Sequence, residues 1–422
     1  MMRLVARYAR SGGMHLTGVM LGLSPLFIIM PAAAQSYFPM PVKAAKITAP
    51  KVAGSCANTY FQDDNPDDNP EHLSGIRFDW AGACARVTGS IDNTYKNDLS
   101  VKITDGTNTT PVSTNTTTAT ASLDTSRRTS LGTLTTNTMV QWQKATDDHT
   151  HNGIATVQSL YASLAGVTAG YTSSLMDFWS GDFQFLATTP NVSIGIVSYE
   201  YALRENLKFA LAVESGLPSP TQASEGLKGI TTTSPDATAR LRYYGDSGLT
   251  LHFSGLVRNA EFSATPFSPT FSQTGWAASM GASTPITLTG KDDSVSMQFD
   301  YAVNAAQTLG TVADVKQVEK YGAVGPTRGW SIVASLNHPW TKELESNAFV
   351  SYISVDVDAA IAKPSARSTR LAANLYWRPF RHFRIGAEIG WVHAEINADG
   401  IQGLPFSKLD GVAGYLNARL DF

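Results

Sequence analysis

Few residues in this chain have types and spacing that could do chemistry. A nucleophile elbow needs Gly-x-Ser-x-Gly, and Gly166-Val167-Thr168-Ala169-Gly170 offers Thr at the central place with no histidine assigned to it. His149-Thr150-His151 puts two histidines at i, i+2 in a polar stretch, where imidazoles are more often solvated than ligating. Asp63-Asp64-Asn65-Pro66 is repeated as Asp67-Asp68-Asn69-Pro70 and followed by Glu71. These carboxylates could take up calcium, but they lack the spacing and glycine of a defined calcium loop, so a solvated acidic loop is expected. Cys56 and Cys84 are the two cysteines; with no partner histidines nearby they do not make a zinc site. No Gly-rich phosphate loop occurs. The reading is therefore no enzyme, no cofactor and no metal. What remains is charge that could make a field: Asp177 and Asp182 in one segment, and Arg240 and Arg242 on another.

Those charges need a scaffold, and the composition narrows it. The 422 residues are 43% hydrophobic and only 16% charged, with a mean hydropathy of −0.10. That is too polar for a bundle of membrane helices and too poor in charge for an ordinary soluble surface. A β-barrel, apolar outside and wet inside, gives such an average because half of each strand faces lipid and half faces water.

The first residues read as an export signal, with Arg3, Arg7 and Arg10 ahead of the apolar run Leu16 to Met30. Ala32-Ala33-Ala34 then offers a small-residue cleavage site before Gln35. A membrane anchor is the competing reading; the run is short of the ~20 clean apolar residues a span needs and carries Pro25. Cleavage would take the formal net charge from −3 to −6, since three arginines and no acid are lost. Nothing here resembles the basic patch of a nucleic-acid binder. In an exported chain the isolated cysteine pair is expected to form a disulfide rather than stay as two free thiols.

From residue 84 onward, segments of about ten residues alternate apolar and polar between turn-rich stretches. In 383–391, Phe383, Ile385, Ala387, Ile389 and Trp391 share one face; Arg384, Gly386, Glu388 and Gly390 share the other. The spacing predicts strands over 84–95, 115–126, 131–143, 153–164, 167–174, 191–203, 207–214, 236–244, 249–260, 273–283, 293–305, 329–337, 346–355, 368–378, 383–396 and 412–422. Short gaps alternate with long ones, as in a barrel with short periplasmic turns and long external loops. Lys208, Arg240, Arg242, Asp300, Asn374, Glu388 and Arg419 lie opposite apolar rows, while Tyr243, Trp330, Trp377, Phe383, Trp391 and Phe422 sit at strand ends, as interfacial aromatics do. The fold expected is an all-β transmembrane antiparallel barrel of about sixteen strands, wide enough for an aqueous channel. Its divisions are 1–34 signal peptide, 35–83 N-terminal periplasmic segment and 84–422 barrel. Phe422, ending the last alternating strand, resembles the signal read by the outer-membrane assembly machinery.

Three stretches carry a resemblance. They are the cysteine pair with Cys84-Ala85-Arg86-Val87-Thr88-Gly89, then Ser130-Leu131-Gly132-Thr133-Leu134, and most specifically Ala169-Gly170-Tyr171-Thr172-Ser173-Ser174-Leu175-Met176-Asp177-Phe178. The sequence resembles the porins of alphaproteobacterial outer membranes through most of the exported chain. It departs from their pattern at Thr135, where Arg is usual, and at Leu175-Met176, where Phe-Phe is usual. The resemblance implies sixteen strands, a homotrimer in outer-membrane lipid, and an internal loop, here 174–190, that narrows the pore. Small hydrophilic solutes and ions would diffuse through it. Asp177 and Asp182 are read as projecting a negative field into the constriction, opposite Arg240 and Arg242 that alternation turns inward, with turn capping inside the loop as the alternative for either aspartate. A substrate-specific channel is the alternative, and a barrel-embedded hydrolase a more distant one.

Overall fold

The computed structural model describes residue 56 and residues 75–80, 82–104, 112–146, 153–190, 193–215, 235–262, 271–287, 293–310, 327–358, 365–397 and 407–422. The expected export signal, the Asp63–Glu71 cluster and His149-Thr150-His151 lie outside these residues.

Seventeen strands form among the described residues. They are β1 (Ile76–Trp80), β2 (Ala83–Thr104), β3 (Ser113–Thr129), β4 (Gly132–Ala145), β5 (Ile154–Leu164), β6 (Val167–Ser173), β7 (Ser193–Arg204), β8 (Leu207–Glu214), β9 (Asp236–Tyr244), β10 (Thr250–Phe262), β11 (Phe271–Ile286), β12 (Asp293–Val303), β13 (Thr327–Pro339), β14 (Leu344–Val357), β15 (Ser365–Phe380), β16 (Phe383–Asn397) and β17 (Lys408–Asp421). Each of β2 to β17 pairs antiparallel with the next, and β17 returns to pair with β2. The result is a closed sixteen-stranded barrel that leaves none of those strands as an open edge. No helix among the described residues is long and apolar enough to cross a membrane, which says nothing against a barrel.

Period-two alternation decides which side chains face out. Val197, Leu211, Phe253 and Leu416 are about half exposed, on the outer surface. The alternate positions Ala210, Ala212, His252 and Asn417 are buried inside. Trp377, Phe380 and Phe422 stand at the short-turn end, and Trp276, Trp330 and Trp391 toward the long-loop end, so both membrane interfaces carry aromatics.

All sixteen predicted strands are present, with two additions. β2 runs on to Thr104, because Leu99 is looped out where the register slips between Val412 and Ala413. That bulge reverses the alternation, turning Val101 and Ile103 inward against the interior packing. The short strand β1 falls within the segment expected to precede the barrel. It pairs Ile76–Trp80 with Val87–Ala83 of β2, beyond the point where Phe422 pairs with Gly89.

Cys56 is bonded to Cys84 at the root of β2, with a Cα–Cα separation of 5.2 Å. Non-reducing peptide mapping of the exported protein is expected to recover Cys56 linked to Cys84. A Cys56→Ser variant is expected to keep a heat-modifiable barrel while residues 56–80 become protease-sensitive, because the ladder from β2 to β17 closes without them. Loss of the barrel in that variant would show that the bridge holds more than this segment.

Candidate functional site

Residues 174–190 connect β6 to β7 and lie against the inner wall. No repeating backbone ladder holds this segment. Wall side chains read its backbone one group at a time. Glu214 accepts from the Leu175 N–H at 2.8 Å and the Ser174 hydroxyl at 2.9 Å. Gln298 on β12 accepts from the N–H groups of Phe178 and Trp179 at 3.2 and 2.7 Å, and donates to the Met176 carbonyl at 3.1 Å. Glu388 on β16 accepts from the N–H groups of Gln184 and Phe185. Asn374 donates to the Asp182 carbonyl at 2.7 Å, and Arg370 to the Leu186 carbonyl at 3.2 Å. Ser351 accepts from the Thr188 N–H at 3.1 Å. Buried backbone groups left without partners would each cost about 1–3 kcal/mol, so this satisfaction fixes the path of the segment.

Apolar packing reinforces it. Trp179, Phe183 and Phe185 are buried against Phe349 of β14, with ring centroids 4.7–6.4 Å apart. The indole of Trp179 donates to Ser335 at 2.8 Å. Two wall glycines make room. A Cβ at Gly281 would collide with the Phe178 ring, and one at Gly390 with the Phe185 ring. The segment thus runs across the inner wall from Glu214 of β8 to Glu388 of β16 and Tyr415 of β17, and the inward faces of β3 to β6 bound the space opposite.

The sequence-read charges take these positions. Asp177 is buried, 8% exposed, within the first turn of the segment. Asp182 forms an ion pair with Arg384 of β16. Arg240 points inward from β9 and pairs with Glu200 at 2.7 Å; Lys208 on β8 reaches the same carboxylate at 3.3 Å. Arg242 lies 5.9 Å from the Phe178 ring and donates to His252 Nδ1 at 3.4 Å. A guanidinium can only donate, so that ring nitrogen accepts and Nε2 carries the proton given to Ser254 at 3.0 Å. Arg240, Arg242 and Lys208 therefore gather around Glu200 on β7 to β9, with the buried Glu214 farther along β8 at the start of the segment. Asp182 and Arg384 sit apart from them, near Asn374 and Tyr376. Arg86 of β2 pairs with Asp124 at 2.7 Å, and Arg419 with Asp421 at 2.8 Å.

Gln298 and Glu214 were not singled out from the sequence, although their inward parity was legible. Glu388 was read only as an inward-facing residue; it holds the backbone of the segment. Thr168, the residue at the centre of the elbow-like pentapeptide, lies on β6 with its hydroxyl 2.7 Å from that of Ser163, not on a strand-to-helix turn.

A family model described as Porin subfamily matches residues 76–413. No curated protein matches the chain. Among solved structures the chain is similar to the outer membrane channel DcaP of Acinetobacter baumannii, with a TM-score of 0.63 at 14% identity over 83% of this chain and 100% of that one. It is similar to OprB of Pseudomonas putida, with a TM-score of 0.52 at 8% identity over 80% of this chain and 94% of that one. It is also similar to an anion-selective porin from Comamonas acidovorans, with a TM-score of 0.51 at 10% identity over 81% of this chain and all of that one. At such identities the likeness is one of fold.

Proposed function

This chain belongs to the Porin subfamily, and from that premise we propose how its channel is built and used. It is an outer-membrane barrel that passes small hydrophilic solutes and ions by diffusion. The observation that carries this is the closed sixteen-stranded wall, apolar outside and polar inside, with partly exposed inward side chains on β4 and β5.

Residues 174–190 form the constriction. The segment occupies one side of the lumen, so solutes pass between it and the wall from β3 to β6. Asp182, Arg240 and Arg242 set the local field, together with Lys208. Asp177 contributes less directly, because protein rather than water surrounds it. Export uses residues 1–34, and residues 35–83 form a periplasmic segment ahead of the barrel. The motifs at Cys84–Gly89 and Ala169–Phe178 support an alphaproteobacterial origin.

The barrel works as a homotrimer in outer-membrane lipid. The outer face of β7 and β8 is uniformly apolar, with Val197, Tyr199, Tyr201, Leu203, Leu211 and Val213 each half exposed. The outer face of β2 and β3 instead carries Asn93, Asn97, Asn115 and Thr117. Asn93 donates to Thr117 at 2.9 Å, and Ser113 to Asn97 at 3.1 Å, both in exposed positions. Amides are costly against hydrocarbon. A second copy of the chain accounts for that sector better than lipid does.

Planar-bilayer recording in a salt gradient tests the channel and its field together. Arg240→Ser with Arg242→Ser removes positive charge and is expected to move the reversal potential toward cation preference. Asp177→Asn with Asp182→Asn is expected to move it toward anions, mostly because Arg384 loses its partner. Both shifts are expected to shrink at 1 M salt, where the Debye length is ~3 Å. If neither pair moves the reversal potential at low salt, these residues do not form the constriction.

A further inference from the structure

The lumen wall facing the constriction segment carries almost no charge. Opposite the arc covered by residues 174–190 lie β3 to β6. Their inward positions over 114–122, 133–143, 156–163 and 168–172 are all uncharged, and all but Met139 and Gly170 offer a hydroxyl or an amide. These groups form a mesh. Gln158 donates to Gln141 at 2.7 Å and to Thr156 at 2.8 Å, and Asn137 donates to Ser122 at 3.1 Å. The bulge between Met139 and Val140 turns Gln158 inward beside Ser159, thickening the mesh at that level. Across the lumen the segment presents Ser180, Gly181 and Gln184, and its Asp182 is neutralised by Arg384. Arg240, Arg242 and Lys208, with Glu200 as partner carboxylate, lie on β7 to β9, outside this wall.

We propose that this uncharged wall is a path for neutral, multiply hydroxylated solutes of the sugar and polyol class. The proposal rests on the channel reading and names a solute class for it. A wall of hydroxyls and amides can exchange hydrogen bonds with a sugar at little net cost, since each bond made replaces one to water. Many weak, equivalent partners suit conduction, which needs a solute to enter and also to leave. Small β-branched threonines also favour strands, so the composition alone would fit a merely wet wall. The hydrogen-bonded mesh, facing a loop surface equally free of net charge, is what points further.

The test uses purified full-length protein in planar bilayers, with maltotriose added to a KCl solution. The wild-type current is expected to fall saturably with maltotriose, beyond the fall in bulk conductivity. Gln141→Leu with Gln158→Leu keeps volume and charge but removes both amides. It is expected to raise the half-saturating concentration roughly threefold to tenfold, about the loss of one net hydrogen bond. Thr156→Val, nearly isosteric, is read in the same way where the double variant does not assemble, and is expected to shift in the same direction. A current that merely follows bulk conductivity overturns the inference and leaves the channel standing, as does an unchanged curve in the variants. Absence of any KCl current through the wild type would overturn the channel reading itself.

Discussion

Glu388→Ala is expected to raise single-channel conductance roughly twofold and to widen the size limit for solutes, since conductance follows the cross-section left open. Glu388 is buried and accepts from two backbone N–H groups, those of Gln184 and Phe185. Truncation leaves both without an acceptor, at about 1–3 kcal/mol each, more than a short segment can absorb in place. The segment is therefore expected to leave the wall over 182–186. Asn374 loses a partner as well, since its amide donates to the same carboxylate at 3.2 Å. Glu388→Gln keeps one acceptor oxygen, for one of the two N–H groups, and is expected to fall between the wild type and Glu388→Ala. Gly390→Leu reaches the same end by a different cause, because its side chain would take the space of the Phe185 ring. Conductance and liposome-swelling cutoffs measure the outcome. Unchanged values in both Glu388→Ala and Gly390→Leu would show that residues 182–186 do not border the narrowest passage.

Deleting Phe422 is expected to lower the amount of heat-modifiable barrel in the outer membrane roughly thirtyfold, in keeping with the loss of two backbone bonds at about 1 kcal/mol each. Phe422 exchanges both bonds with Gly89, at 2.8 and 2.9 Å. That rung is the last one between β17 and β2, and so the last of the seam that closes the barrel. The ring sits over Gly89, where a Cβ would strike it. Phe422→Trp separates two contributions. A recognition signal for the assembly machinery is expected to tolerate another aromatic; close packing over Gly89 is not. Wild-type assembly of the deletion at ordinary expression would refute both roles.

Much of this architecture was legible from the chain alone. Period-two alternation carries its own face assignment, so Arg240, Arg242, Asn374 and Glu388 could be placed inside before any contact was known. A membrane barrel makes that signal unusually reliable: an Arg or Lys facing lipid at mid-depth costs roughly 2–4 kcal/mol, so the alternation tolerates few exceptions. Strand positions, the count of sixteen and the Cys56–Cys84 bridge followed from the same pattern and from export. The pattern failed at Leu99, where one looped-out residue reverses the faces and the last nine residues of β2 no longer read as a continuation.

Alternation fixes the face of the wall and says nothing about what lies across the lumen. Residues 174–190 have no period, and their path is set by partners 39 to 204 positions away, from Glu214 to Glu388. Only the closed barrel brings those partners to one surface. That is why Asp182 meets Arg384, Asp177 is enclosed, and Arg242 lies beside Phe178, although the four charges had been read as one facing set. The sequence by itself determined the wall, because each strand's register is a local consequence of lipid on one side and water on the other. The tertiary structure alone decided the passage, because a loop held by single side-chain contacts takes its shape from the whole circumference.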